Sequence, residues 1–178
     1  VAFTGRHNRT HRPPRTFGNH LTPHLVASAG RSSPLGATPE ADGINIAVVS
    51  RHATAIYICL FDAAGEEEAY RFRLPHRLGD VHFGFISGVT EGARYGLRAD
   101  GPWEGSNRFD SAKLLVDPCA QSLRGNFQWH PSLHGAVRGR DDLPSPDDSA
   151  PYVPRAEKGL PYERVEVVMS AVVKKDGR

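Results

Sequence analysis

Four side chains in this 178-residue chain have the chemistry to grip a hydroxylated ring: Trp103 and Trp129 as flat platforms, Asn107 and Lys113 as polar partners. Carbohydrate rings present C–H faces that stack on aromatics, and their hydroxyls take hydrogen bonds from amide and ammonium groups. Both tryptophans are equally suited to packing against a neighbouring surface, the commoner fate of an aromatic. Other candidates are weaker. Acid–base work on a sugar bond needs two carboxylates held a few ångströms apart by rigid structure. Glu66-Glu67-Glu68 is the nearest cluster, and it follows a hairpin turn, where charge is normally solvated. His7/His11 and His20/His24 stand i, i+4, a spacing that binds metal on a helix. Pro13-Pro14 and Pro23 interrupt any such helix, and no cysteine or carboxylate completes a site. There is no phosphate-cradling glycine motif and no nucleophile elbow. The residues offer binding chemistry without an active site, and neither metal nor cofactor is expected.

The elements that must position these side chains are strands. Ile44, Ile46 and Val48 alternate after the turn Ala41-Asp42-Gly43. Ala55–Phe61 is apolar on both faces, as a central strand covered on both sides would be. After the turn Asp62-Ala63-Ala64-Gly65 come Tyr70, Phe72 and Leu74, alternating with Arg71, Arg73 and Pro75. Val81, Phe83 and Phe85 mark another strand, ended by Ser87-Gly88. Ala93, Tyr95, Leu97 and Ala99 alternate with Arg94, Gly96, Arg98 and Asp100 in the last. Short strands at this spacing predict an all-β fold, an immunoglobulin-like antiparallel β-sandwich. No helical period of any length competes.

The chain divides into four stretches. Residues 1–30 show no period and read as a disordered basic tail. Residues 31–102 are the sandwich. Residues 103–154 read as a connector lying on a neighbouring domain, because Trp103, Phe109, Phe127, Trp129 and the run Ala112–Val116 are apolar. Without that neighbour, Leu114, Leu115 and Val116 would form an exposed apolar patch. Asp141-Asp142 and Asp147-Asp148 sit among prolines and read as solvated loop acids. Residues 155–178 form a tail with a Val-rich segment, Val165–Val173, and a charged end.

Composition agrees with one domain plus extensions. Eighteen glycines and fourteen prolines suit many turns. No apolar run approaches a membrane span, and the N-terminus lacks the apolar core of a secretory signal. Cys59 and Cys119 read as two reduced thiols in a cytoplasmic protein. The net charge of +2 is unevenly placed. Arg6, Arg9, Arg12 and Arg15 put +4 into the first 25 residues, leaving 18 basic and 20 acidic side chains for the rest. The folded part is therefore mildly acidic, which argues against nucleic acid as its ligand.

The motifs, taken in order, resemble a known family. Pro34-Leu35-Gly36-Ala37, Asp42–Ser50 and Cys59-Leu60-Phe61-Asp62 are similar to the N-terminal region of bacterial glycogen debranching enzymes of the isoamylase type. Gly84-Phe85, Tyr95-Gly96-Leu97-Arg98, Gly101-Pro102, Arg108-Phe109, Ala112–Pro118 and Asp148–Pro154 continue the likeness. It spans residues 33–154. The resemblance implies a family-48 carbohydrate-binding module ahead of a (β/α)8 barrel, and hydrolysis of α-1,6 branch linkages in glycogen without an organic cofactor. It implies glycogen or α-glucan as ligand and the barrel as partner. In such enzymes the catalytic carboxylates come from strand ends of the barrel, and no position here corresponds to them.

The departures are local. Trp103–Asn107 is short against the family's loop, Cys119 stands where an aromatic is common, and the likeness stops after Pro154. A truncated or frameshifted reading frame is the expectation those ends raise. Three readings remain open at this point: a non-catalytic portion of a debranching enzyme, a stand-alone glycogen-binding module, and an interaction protein using the basic tail.

Overall fold

Side chains that alternate in polarity let a strand bury one side and wet the other. The computed structural model describes residues 25–90, 92–137 and 140–157. Its strands are β1 (Ala27–Ser28), β2 (Gly36–Glu40), β3 (Gly43–Val49), β4 (Ala55–Phe61), β5 (Glu68–Arg73) and β6 (His76–Leu78). They continue as β7 (Val81–Ser87), β8 (Arg94–Asp100), β9 (Leu123–Arg124), β10 (Ala136–Val137), β11 (Arg140–Pro144) and β12 (Arg155–Glu157). Among the described residues the helical pieces are two 3-10 turns, Pro131–Leu133 and Ala150–Tyr152. The first sheet runs β1-β7-β3-β2, with β6 also paired to β7; the second runs β5-β4-β8-β12-β9. β10 and β11 form a separate hairpin. All pairings are antiparallel.

The core lies between the sheets. Ile44, Ile46 and Ile86 from the first meet Ile56, Ile58, Leu60, Tyr95, Leu97 and Ala99 from the second, all buried. The alternation in β7 points the other way from its sequence pattern. Ile44 pairs with Ile86, Ile46 with Gly84 and Val48 with His82, so the even-numbered residues face inward. Phe83 and Phe85 sit on the outer face and are only partly buried. Directly paired residues share a face, so the isoleucines of β3 set the orientation of β7. His82 goes inside because its ring nitrogen reaches the Ser50 carbonyl at 3.3 Å.

The sandwich draws on residues beyond 31–102. Ala27–Ser28, within the stretch read as disordered tail, pairs with Phe85 and Ile86. Just after it, the buried Asn45 amide accepts from the Arg31 N–H at 2.7 Å and donates to the Arg31 carbonyl at 3.0 Å. Arg155–Glu157, within the stretch read as unmatched tail, sits between β8 and β9. Both histidine pairs, the four tail arginines and the Val-rich segment lie outside the described residues.

Candidate functional site

Part of the stretch 103–154, expected to lie on a neighbouring domain, returns as a strap over the outer face of the second sheet, through Ala112–Leu115 and Asp148–Val153. β8 has β4 on one edge and β12 beside Arg94 and Tyr95 on the other, where Leu97 still needs a backbone partner. Leu115 supplies it by donating to and accepting from Leu97 at 2.7 and 2.8 Å. Leu114 then drops onto Gly96, where a Cβ would lie 2.7 Å from the leucine Cδ1. Leu114 joins Cys59, Phe61 and Ala150 in a second buried cluster. The apolar run expected to form a bare patch is therefore largely spent: Leu114 is buried, and Leu115 keeps 46% exposure while its backbone is paired.

Arg98 closes this strap. It is 1% exposed, and a guanidinium taken from water needs a partner for every donor. Its Nε donates to Glu68 at 3.0 Å, one terminal nitrogen to the Ser111 and Ala112 carbonyls at 3.1 and 2.7 Å, and the other to both Asp148 oxygens. Glu68, read as a solvated acid, is thereby drawn into the clasp, while Asp148 stays 58% exposed beside its guanidinium partner. Glu68 also pairs with Arg71 at 2.5 Å. Asp148 is held by Arg98, while Asp147 offers its carbonyl to Lys113. Asp142 does sit in solvent, paired with Arg140. Arg155 lies over the Phe61 ring at 4.0 Å and donates to the Val153 carbonyl.

A second tie explains the Asp117-Pro118 block. The buried Tyr95 hydroxyl donates to Asp117 at 2.8 Å, and the other carboxylate oxygen accepts from the Cys119 N–H at 2.9 Å. Burial first, then the charge and hydrogen bond of Asp117, push the Tyr95 hydroxyl far above its ordinary range. Gly36, at φ +85°, lies against this turn, where an added Cβ would meet the Cys119 Cβ at 2.6 Å.

Of the four residues picked for sugar binding, Lys113 serves the strap. It is buried, with its ammonium 2.6 Å from the Asp147 carbonyl and 3.7 Å from Asp110. Trp103 and Trp129 flank a single turn. A Cβ added at Gly135 would lie 3.3 Å from the Trp103 ring, and its neighbour His134 meets Trp129 edge to face at 5.5 Å. Arg108 lies 5.4 Å over Trp103 and donates to the Asn107 carbonyl, which brings Asn107 to the same loop. Trp129 is 73% exposed. Sequence reasoning missed Phe127 and His134 as its companions, because ring proximity across a turn leaves no periodic signal.

The family model described as carbohydrate-binding module 48 (isoamylase N-terminal domain) matches residues 34–120. Over these residues, just under half of the chain, the sequence is similar to carbohydrate-binding module family 48. The matched span takes in β2 to β8 and the strap as far as the Asp117 turn, and leaves β1, β9 and β12 outside it. A glycogen debranching enzyme of Cronobacter sakazakii is 40% identical over 134 residues, 74% of this chain and 19% of that protein. That of Salmonella typhi is 41% identical over 129 residues, 71% of this chain and again 19% of the relative. The chain thus spans 19% of the length of these curated relatives. Among solved structures, the catalytic module of the glycogen-degrading pneumococcal virulence factor SpuA with an inhibitor is similar at TM-score 0.49 and 16% identity, over 73% of this chain and 17% of that one. No helix of the described residues is long and apolar enough to cross a membrane.

Proposed function

We propose that the chain is the non-catalytic, N-terminal portion of a cytoplasmic glycogen debranching enzyme, and that its own contribution is to hold α-glucan. The observation that carries this reading is the 40% identity to a glycogen debranching enzyme over 134 residues, a longer span than the module itself. The activity of the whole protein is then hydrolysis of α-1,6-glucosidic branch linkages, performed by a (β/α)8 barrel partner.

The carboxylates support a division of labour. Glycoside hydrolysis needs two of them facing the bond, one to protonate the leaving oxygen. Here Glu68 and Asp148 are tied to Arg98, and Asp117 is tied to Tyr95. Each neutralises or orients a protein group. Trp103, with Asn107 beside it, and Trp129 are the proposed contacts for glucan. Lys113 takes no part, since its ammonium is engaged within the strap.

The purified chain tests this in two assays. Incubation with glycogen should release no reducing ends, and release of them would overturn the division of labour. Native electrophoresis in a glycogen-containing gel should retard the chain relative to a gel without glycogen. Equal mobility in both gels would remove glucan holding and leave a structural module.

A further inference from the structure

We propose that the α-glucan site of this chain is the exposed aromatic run Phe127–Trp129 with His134, a platform beyond the residues matched to the module family. The proposal rests on the glucan-holding reading above and names its place. The matched module ends at residue 120, so this would be a binding surface carried by the strap and braced by the sandwich.

Three observations carry it. The first is exposure without looseness. Residues 124–129 are all exposed, and Trp129 and Phe127 keep 73% and 46% of their surface in water. Their backbone is nevertheless anchored, since the Gln128 N–H donates to the Tyr152 carbonyl at 3.1 Å. His130 stacks flat on the Tyr152 ring at 3.8 Å and 8°. Large rings displayed on a fixed backbone lose little freedom when a ligand arrives.

The second is ring geometry. Phe127 and Trp129 lie 6.3 Å apart and tilted by 56°, and the His134 ring stands at 90° to Trp129. The rings meet one another at angles and leave flat faces open. A helically curved glucan presents successive C–H faces at changing angles, which such a tilted pair can follow.

The third is the company the rings keep. Asn126 and Gln128 alternate with Phe127 and Trp129 along the chain, so the exposed run carries amide groups for sugar hydroxyls, while the His130 imidazole is engaged by Ser132 and Tyr152. The outer face of the first sheet differs. There Val49, Val81 and Leu78 form one cross-strand row, with Val49 and Leu78 more than half exposed. Aliphatic surface of that kind suits a protein partner, whereas interleaved rings and amides suit a hydroxylated one.

The test uses the full chain and its variants Trp129→Ala, Phe127→Ala and Leu78→Ala, with glycogen in gels and maltoheptaose in solution. Wild type and Leu78→Ala should be retarded by glycogen alike, while Trp129→Ala and Phe127→Ala should bind about tenfold more weakly or worse. Maltoheptaose should shift and saturate the tryptophan emission of the wild-type chain, and most of that shift should be lost in Trp129→Ala. Far-ultraviolet circular dichroism checks that each variant is folded, and Trp129→Tyr should retain most of the retardation. Retardation of Trp129→Ala equal to wild type would place the glucan elsewhere and overturn the proposal while the broader reading stands. No retardation of wild type would overturn both. Loss of concentration-dependent self-association in Trp129→Ala, without any glucan effect, would reassign the patch to contact between copies.

Discussion

The Arg98 guanidinium meets the Asp148 carboxylate in two hydrogen bonds of 2.9 and 3.1 Å, across fifty residues of chain. This pair fastens the far end of the strap to the outer face of β8. The same guanidinium reaches back to Glu68 on β5 and forward to the Ser111 and Ala112 carbonyls. One side chain thus joins the second sheet to both halves of the strap.

Arg98→Ala should cost about 3–5 kcal/mol, because it leaves Glu68 and two carbonyls without their cation. Asp148→Asn should cost about 1 kcal/mol or less, since that carboxylate is 58% exposed and water replaces part of the loss. Urea denaturation of the two variants checks the order. Similar losses from both would mean that Arg98 does not join the two halves.

Acid should loosen the clasp through Glu68. Burial alone would raise this carboxyl, but the hydrogen bond from Arg71 and the charge and hydrogen bonds of Arg98 outweigh burial and hold it below the usual carboxylate range. A group lowered in the folded state contributes stability above its unfolded value of about 4.3, and that stability is lost as pH falls through the folded value. The stability gap between wild type and Glu68→Gln should therefore narrow as pH drops from about 6 to below about 4. A gap that widens on acidification would contradict this pairing.

Tyr95→Phe removes the hydroxyl donated to Asp117, whose carboxylate is 3% exposed. An acceptor left buried without its donor costs about 1.5–3 kcal/mol. Thermal and urea unfolding should report a loss in that range. A near-neutral result would mean that water reaches Asp117 and that the turn against Gly36 is open.

The two thiols should differ sharply. Burial pushes the Cys59 thiol up to about 12, while Cys119 lies exposed at the Asp117 turn. Only thiolate attacks a disulfide reagent. The native chain should then show one fast thiol, abolished by Cys119→Ser, and a second only after denaturation. Two fast thiols in the native chain would place Cys59 at the surface.

Strand identity was legible in the order of residues because a half-buried strand must alternate and a central one need not. β3, β4, β5, β7 and β8 overlap the segments so marked, and the ordered motif blocks carried the family. Which face of β7 turns inward was not legible, since Phe83 and Phe85 outweigh His82 and Gly84 in any count of hydrophobicity. Cross-strand register with β3 decided that. Arg98 looked like an outward residue on an alternating strand, and Lys113 like a ligand for sugar. Both are buried because the strap returns over the sheet, and a return across fifty residues leaves no periodic mark. Trp129 could be named from its type alone. Its exposure, its angle to Phe127 and its contact with His134 follow only from how Gln128 and His130 are anchored to Tyr152, which is a matter of tertiary contact rather than of sequence.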